Sequence, residues 1–410
     1  MSGRPPITRQ EVFGVLSLSL GFGLVGIDRF LISTMYPTIA RELHLGYTDI
    51  GTITGALAIA WGIAAFFMGN LSDRIGQQGV LVGSLVAFSV LIGASGLAAG
   101  LVGLVIVRVV MGFADGAFTP ASIAATIRLS PTIRHGRNVG FQQMMLVLFG
   151  LGLSPLVVSA LLAQGLYWRY IFSLFLIPGL LVAWFTWRII PNTAARDTGA
   201  RSIFTDWVNV WHHRNIRLLM LGMLCWLTCL ITTSAFLPQY LVNHLNLEAS
   251  EMGRVMSAIG FGAMTGTIAL STLSDRVGRK PIMIMASLGA LACLTILSFL
   301  GHSVLQLFPC LFAVHFFNNA LITLTVGPVA AESVAPGLMA TASGVIIGAG
   351  EILGGGLAPI VGGQIAERFG IEHILRLPIL MMALGVLLCV ALQETHPRYI
   401  GFTRSKEPVT

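Results

Sequence analysis

The sequence predicts an all-α integral membrane protein: twelve transmembrane helices in two pseudo-symmetric six-helix bundles. Three observations lead there. Charge is scarce, twelve apolar runs are long enough to cross a bilayer, and one turn sequence recurs half a chain later.

Of 410 residues, 55% are hydrophobic and 10% charged, against about 25% charged in an ordinary soluble domain. So few charges cannot coat a water-facing surface of this size. The formal net charge of +7 comes from basic residues placed between the apolar runs. That distribution suits anionic lipid head groups and control of orientation, not nucleic acid. The five cysteines, Cys225, Cys229, Cys293, Cys310 and Cys389, lie inside apolar runs of the second half. Cys225 and Cys229 are one turn apart but have no histidine or carboxylate nearby in sequence, so they read as packing and no metal is expected. The polar segments hold no nucleophile–base set and no phosphate loop, so an enzyme is not expected.

A span needs about 20 apolar residues. The runs fall near 12–36, 48–71, 79–99, 102–127, 138–164, 168–190, 216–242, 252–273, 281–301, 304–328, 338–366 and 374–393. The first exceeds a signal-peptide core and lacks a small-x-small cleavage site, which predicts a retained first helix. With the N-terminus in the cytoplasm, the external segments hold Arg41, Arg169, Arg254, Arg368 and Arg376 and the membrane holds Arg29 and Arg108. The other 17 of the 24 basic residues are then internal. That bias predicts a bacterial inner membrane protein with both termini cytoplasmic. The connection 191–215 separates halves 1–190 and 216–410. Its Ile203, Phe204, Trp207, Val208 and Trp211 have helical spacing, which predicts a short amphipathic helix at the inner interface.

Gly69-Asn-Leu-Ser-Asp-Arg-Ile-Gly follows the second run, and Ser271-Thr-Leu-Ser-Asp-Arg-Val-Gly-Arg-Lys follows the eighth. Asp73 and Asp275 stand 202 positions apart, the mark of a duplicated bundle. Gly76 and Gly278 allow a tight reversal. Asp73 with Arg74, and Asp275 with Arg276, sit at helix ends where an acid pairs with an arginine or a helix N-terminus. Here the chain resembles the major facilitator superfamily, whose signature is G-x-L-x-D-R-x-G-R-R/K after the second helix. The first copy has Gln77-Gln78 for the basic pair; the second keeps Arg279-Lys280 but opens on Ser271. The resemblance covers nearly the whole chain. It implies two bundles around a central cavity, alternating access by rocking of one bundle on the other, and turns that latch the inner rim in one state.

Few charges lie deep inside the spans: Asp28 and Arg29 in the first, Arg108 and Asp115 in the fourth, Glu351 in the eleventh. Each costs roughly 2.5–3.5 kcal/mol to insert, so each needs partners or a wet cavity. Arg108 and Asp115 share a helix face about 10 Å apart along the axis. Gly112 and Gly116 keep that helix slim. Two arginines balance two ionised acids; protonating the acids leaves a positive cavity that attracts an anion. This predicts proton-coupled symport of an organic anion, a carboxylate held by Arg29 and Arg108 with Asp28 and Asp115 as proton sites. The pattern also resembles the superfamily's anion:cation symporter branch, which takes up sugar acids and related anions with protons or sodium. Asp28-Arg29 matches it, as does Arg108 followed seven residues later by an acid, though Asp115 stands where Glu is usual. Gly136-Arg137 and Tyr167-Trp168-Arg169 also fit; Trp61 replaces a frequent Tyr. No cofactor is implied beyond the ion gradient, and a monomer is expected.

The seventh span lacks a buried charge. His315, Asn318 and Asn319 in the tenth, with Gln142 and Gln143 in the fifth, are neutral groups suited either to ligand hydroxyls or to interhelical contacts. Glu351, in Gly350-Glu-Ile-Leu-Gly-Gly-Gly, reads equally as a cation ligand, a cap on the cavity or a partner for backbone. The rival reading is a drug/proton antiporter, but Gly150-Leu-Gly-Leu-Ser-Pro-Leu-Val-Val-Ser lacks the closing glycine pair of that group's fifth helix.

Overall fold

The computed structural model describes residues 8–75, 77–131, 134–191, 209–335 and 338–396, with side chains described except at 66–75 and 340. Twelve helices are long and apolar enough to span a membrane: α1 (Arg9–Leu43), α2 (Tyr47–Ile75), α3 (Gln77–Ser95), α4 (Leu101–Leu129), α5 (His135–Ala163), α6 (Trp168–Ile189), α7 (Arg214–His244), α8 (Ala249–Val277), α9 (Arg279–Leu297), α10 (Val304–Glu332), α11 (Thr341–Phe369) and α12 (Ile371–Ala391). Each covers one apolar run of the sequence. Helices are required because lipid offers no partner for a backbone amide.

Burial sorts the helices by position. α1 and α7 are the most enclosed, so they form the centre; α6 and α12 are among the least. Their exposed residues, such as Leu174, Leu181 and Trp184 on α6 and Leu380, Leu384 and Leu387 on α12, recur at helical spacing as lipid-facing stripes.

The two halves repeat one packing device. In the first, Gly112 and Gly116 of α4 lie on the α2 backbone around Leu57 and Trp61. In the second, Gly262 and Gly266 of α8 lie on the carbonyls of Phe312 and Phe316 of α10. A side chain at any of these glycines would push the helices apart.

Among the described residues, four helices contain a widened π-helical stretch: 148–153 in α5, 240–244 in α7, 325–329 in α10 and 351–357 in α11. Each contains a proline or lies two positions from one: Pro155, Pro238, Pro328 or Pro359. Proline removes an amide donor and crowds the preceding turn, and a longer-range bond re-satisfies the backbone. In α11 the widened turn begins at Glu351.

The halves meet tightly at one end of the bundle, beside the α1–α2 and α7–α8 turns. There α2 packs on α11, with Gly51 against Pro359, Gly55 against Gly356 and Gly363 against Tyr47. α5 packs on α8, with Gly260 against Gly152 and Gly253 against Ser159 and Pro155. Polar bonds seal the contact: the Tyr47 and Thr48 amides donate to Glu367 Oε2 (2.7 and 3.3 Å), and Asn243 Nδ2 donates to Tyr47 Oη (3.3 Å).

At the opposite end, ties run within each half. Arg134 forks onto Glu11 (2.7 and 2.6 Å), and Asn138 donates to both Glu11 and Ser130. These bonds stabilise the charged guanidinium of Arg134 and raise its pKa above the ordinary arginine value. In the second half Gly278 turns the chain at φ 109°, as its place in the motif predicts. Arg279 donates to Asp275 (2.6 Å) and Glu332 (2.9 Å). Glu394 accepts from the amides of Arg279 and Lys280 (both 3.0 Å). In this conformation Asp275 and Arg279 bind each other, and Arg279 binds Glu332, all partners of their own half. Asp73, Arg74, Gly69 and Gly76 of the first copy lie outside the described residues or have side chains that do. The amphipathic linker helix also falls largely outside them, at 192–208.

Candidate functional site

The charges that stand out in the spans converge at the centre. α1 supplies Asp28 and Arg29, which point about 100° apart because they are helix neighbours. Asp28 turns into its own half, where Arg108 Nη1 donates to the Asp28 carbonyl (2.6 Å) and lies 3.6 Å from Asp28 Oδ1. Arg29 turns towards the second half and forks onto Glu351, Nη1 to Oε1 at 3.0 Å and Nη2 to Oε2 at 2.6 Å. That answers the open question about Glu351: it is the ion-pair partner of an arginine 322 positions away. The Arg29 guanidinium also sits 4.6 Å from the Trp61 ring centre and 5.7 Å from that of Phe30, within cation–π range.

Asp28, Arg108 and Asp115 are sealed from solvent. The carboxyls of Asp28 and Asp115 are both buried beside Arg108, and none of their four oxygens has a hydrogen-bond donor. Ionised carboxylates only accept, so neither could satisfy the other without a proton. Arg108 is complementary: its Nε and Nη2 are buried with no acceptor. Unmade bonds of charged buried groups are costly, roughly 1–3 kcal/mol or more each. Such a cluster persists where a proton or ligand completes it.

A narrow cleft opens on this cluster. Arg29, Phe30, Ser33, Thr54, Arg108 and Ser234 are among the residues that line it. Four lining helices meet there: α1, α2 and α4 of the first half and α7 of the second. Both expected anion ligands, Arg29 and Arg108, reach this cleft. Ser33, Thr54 and Ser234 escaped the sequence reading because a lone hydroxyl in an apolar run does not stand out.

Other expected ligands lie elsewhere. His315 Nε2 is 3.2 Å from Thr233 Oγ1, Asn318 donates to the Trp226 carbonyl (3.2 Å), and Asn319 donates to Thr267 Oγ1 (2.8 Å). All three tie α10 to α7 or α8, and none lines the cleft. In this conformation they make interhelical contacts, one of the two roles their sequence suits, which a membrane interior favours because a polar side chain has no water to bind. Gln142 is buried and accepts from Thr126 Oγ1 (3.0 Å), joining α5 to α4 away from the cleft. Gln143, the next residue, is exposed and is not among the residues lining the cleft. Trp61 reaches the site through Arg29. Glu367 was missed, because its partner is a helix N-terminus of the other half. Among the described residues no three of His, Cys, Asp and Glu gather as a metal site.

The model of the Major Facilitator Superfamily matches residues 18–359. A sialic acid transporter of Escherichia coli is 25% identical over 89% of this chain and 89% of its own. A gentisate transporter of Corynebacterium glutamicum is 23% identical over 90% of this chain and 86% of its own. Among solved structures, a bacterial homologue of the human lysosomal transporter Spinster superposes with a TM-score of 0.77 at 17% identity, covering 94% of this chain and 97% of that one.

Proposed function

Because the chain belongs to the Major Facilitator Superfamily, we propose that it is a secondary transporter that carries an organic anion together with protons. The observation that carries this reading is the buried set of Asp28, Arg108 and Asp115: two carboxyls without hydrogen-bond donors beside a guanidinium with two free donors. A carboxyl buried without a donor is suited to take up and release a proton. The free Arg108 donors, buried beside the cleft that Arg108 helps line, suit a carboxylate in charge-assisted bonds. The relatives' names, sialic acid and gentisate, support an acid as cargo. Sugar acids and other mono- or dicarboxylates are the proposed class.

The cycle follows from charge. With Asp28 and Asp115 protonated and Arg29 paired to Glu351, Arg108 leaves the cleft positive and an anion enters. With the protons gone, the carboxylates compete for Arg108 and the anion leaves. Proton and anion binding thus reinforce each other, the condition for symport. If the basic loops face the cytoplasm, the sealed α2–α11 and α5–α8 end is external and this conformation faces inward. In proteoliposomes, Asp28→Asn and Asp115→Asn are expected to abolish proton-driven accumulation of an organic anion while retaining anion exchange. Undiminished accumulation against a gradient would refute the coupling. Thermal stabilisation by cationic drugs alone would favour an exporter instead.

A further inference from the structure

Arg29 already holds a carboxylate. Glu351 meets it in the forked, two-bond geometry with which a guanidinium grips a ligand carboxylate. Both side chains are nearly buried. The guanidinium is packed by Trp61 and Phe30, and it lines the cleft beside the unpartnered donors of Arg108. A ligand carboxylate that bridges Arg29 and Arg108 must therefore enter the place Glu351 occupies. Glu351 takes both terminal nitrogens of Arg29 in its fork, so a ligand carboxylate seeking the same two-bond grip competes with it.

The local backbone of α11 makes room for Glu351 at Arg29. It begins the widened turn 351–357, which contains Gly354, Gly355 and Gly356. At Gly355 a methyl would stand 2.7 Å from Glu351 Oε2 and 3.5 Å from Arg29 Nη2. A side chain there would collide with the carboxylate where it meets Arg29; the glycine leaves that space to Glu351.

We propose that Glu351 is the chain's own occupant of the carboxylate seat, clasping Arg29 across the two halves in the empty carrier and displaced by the substrate's carboxylate. The proposal rests on Arg29 being part of that seat. In the empty carrier Glu351 neutralises Arg29 and ties α1 to α11. In the loaded carrier the substrate neutralises Arg29 and the tie opens. Net transport then needs Glu351 for the empty return, whereas exchange, which never passes through an empty carrier, does not.

The test uses full-length protein with Glu351→Gln and Glu351→Asp. The ligands are a panel of sugar acids, aromatic acids and dicarboxylates, titrated calorimetrically. Removing the competing charge is expected to tighten anion binding about ten-fold in the Gln variant. The Asp variant, with its carboxylate withdrawn by one methylene, should fall between Gln and wild type. In proteoliposomes the Gln variant should retain exchange and lose net uptake. If wild type binds an anion and neither variant binds it more tightly, Glu351 is a structural partner and the proposal fails while the transport reading stands. If no protein binds any member of the panel, the transport reading fails and the proposal with it.

Discussion

Arg108 faces two demands that no other side chain could meet. One Nη1 proton holds the Asp28 carbonyl at 2.6 Å, and that bond fixes the side chain beside Asp28. The remaining Nε and Nη2 donors are left for an acceptor that the chain does not supply. A lysine would keep the charge but has one nitrogen, so it could not hold Asp28 and a bidentate carboxylate together. Arg108→Lys is expected to fold and to reduce uptake at least about ten-fold, since a lost charge-assisted bond is worth roughly 1.5–3 kcal/mol. Initial uptake rates over a range of anion concentrations measure it. Asp28, Arg29, Arg108, Asp115 and Glu351 were all legible because an ionised residue in an apolar run is conspicuous. Their pairing was not: Arg29 finds Glu351 only once two bundles dock. His315, Asn318 and Asn319 illustrate the converse. A neutral polar residue in a span reads alike whether it faces a cavity or a neighbouring helix.

Glycines on different helices do different jobs, and substitution should separate them. Gly112 of α4 sits against α2 within the first half, whereas Gly260 of α8 sits against Gly152 of α5 in the other half. Gly112→Leu is expected to lower the thermal stability of the whole protein, since overpacking costs about 1–3 kcal/mol. Gly260→Leu is expected to leave each bundle folded but hold the sealed end open, abolishing transport. Scanning fluorimetry and uptake on the same preparations distinguish them. Glu367 acts on the same end from α11, accepting from the first amides of α2. A carboxylate at a helix N-terminus is worth about 0.3–1 kcal/mol when exposed. Glu367→Ala should therefore favour opening there up to about five-fold, read as faster amide exchange over residues 47–55. The helices and the Gly278 turn were legible from apolar length and motif. The four widened turns were not, because proline in a span signals strain without saying how the backbone absorbs it.

At the scale of the molecule, duplication is clearest in the packing and weakest in the chemistry. The glycine contacts of α4 on α2 recur as those of α8 on α10, yet the buried Asp28–Arg108–Asp115 cluster belongs to the first half alone. The second half contributes Glu351 to the centre and uses its neutral polar groups to bind its own helices together. On the proposed cycle the labour divides: the first half would hold the proton sites, and the second would approach or withdraw to open the cleft. The central claim is that anion and proton enter together. It is tested most directly by trapping a pH-sensitive dye inside proteoliposomes and adding an organic anion outside, with no imposed gradient. Acidification of the lumen on anion addition, abolished in the Asp28→Asn, Asp115→Asn double variant, is the predicted result. Anion entry with no change in lumenal pH would contradict it.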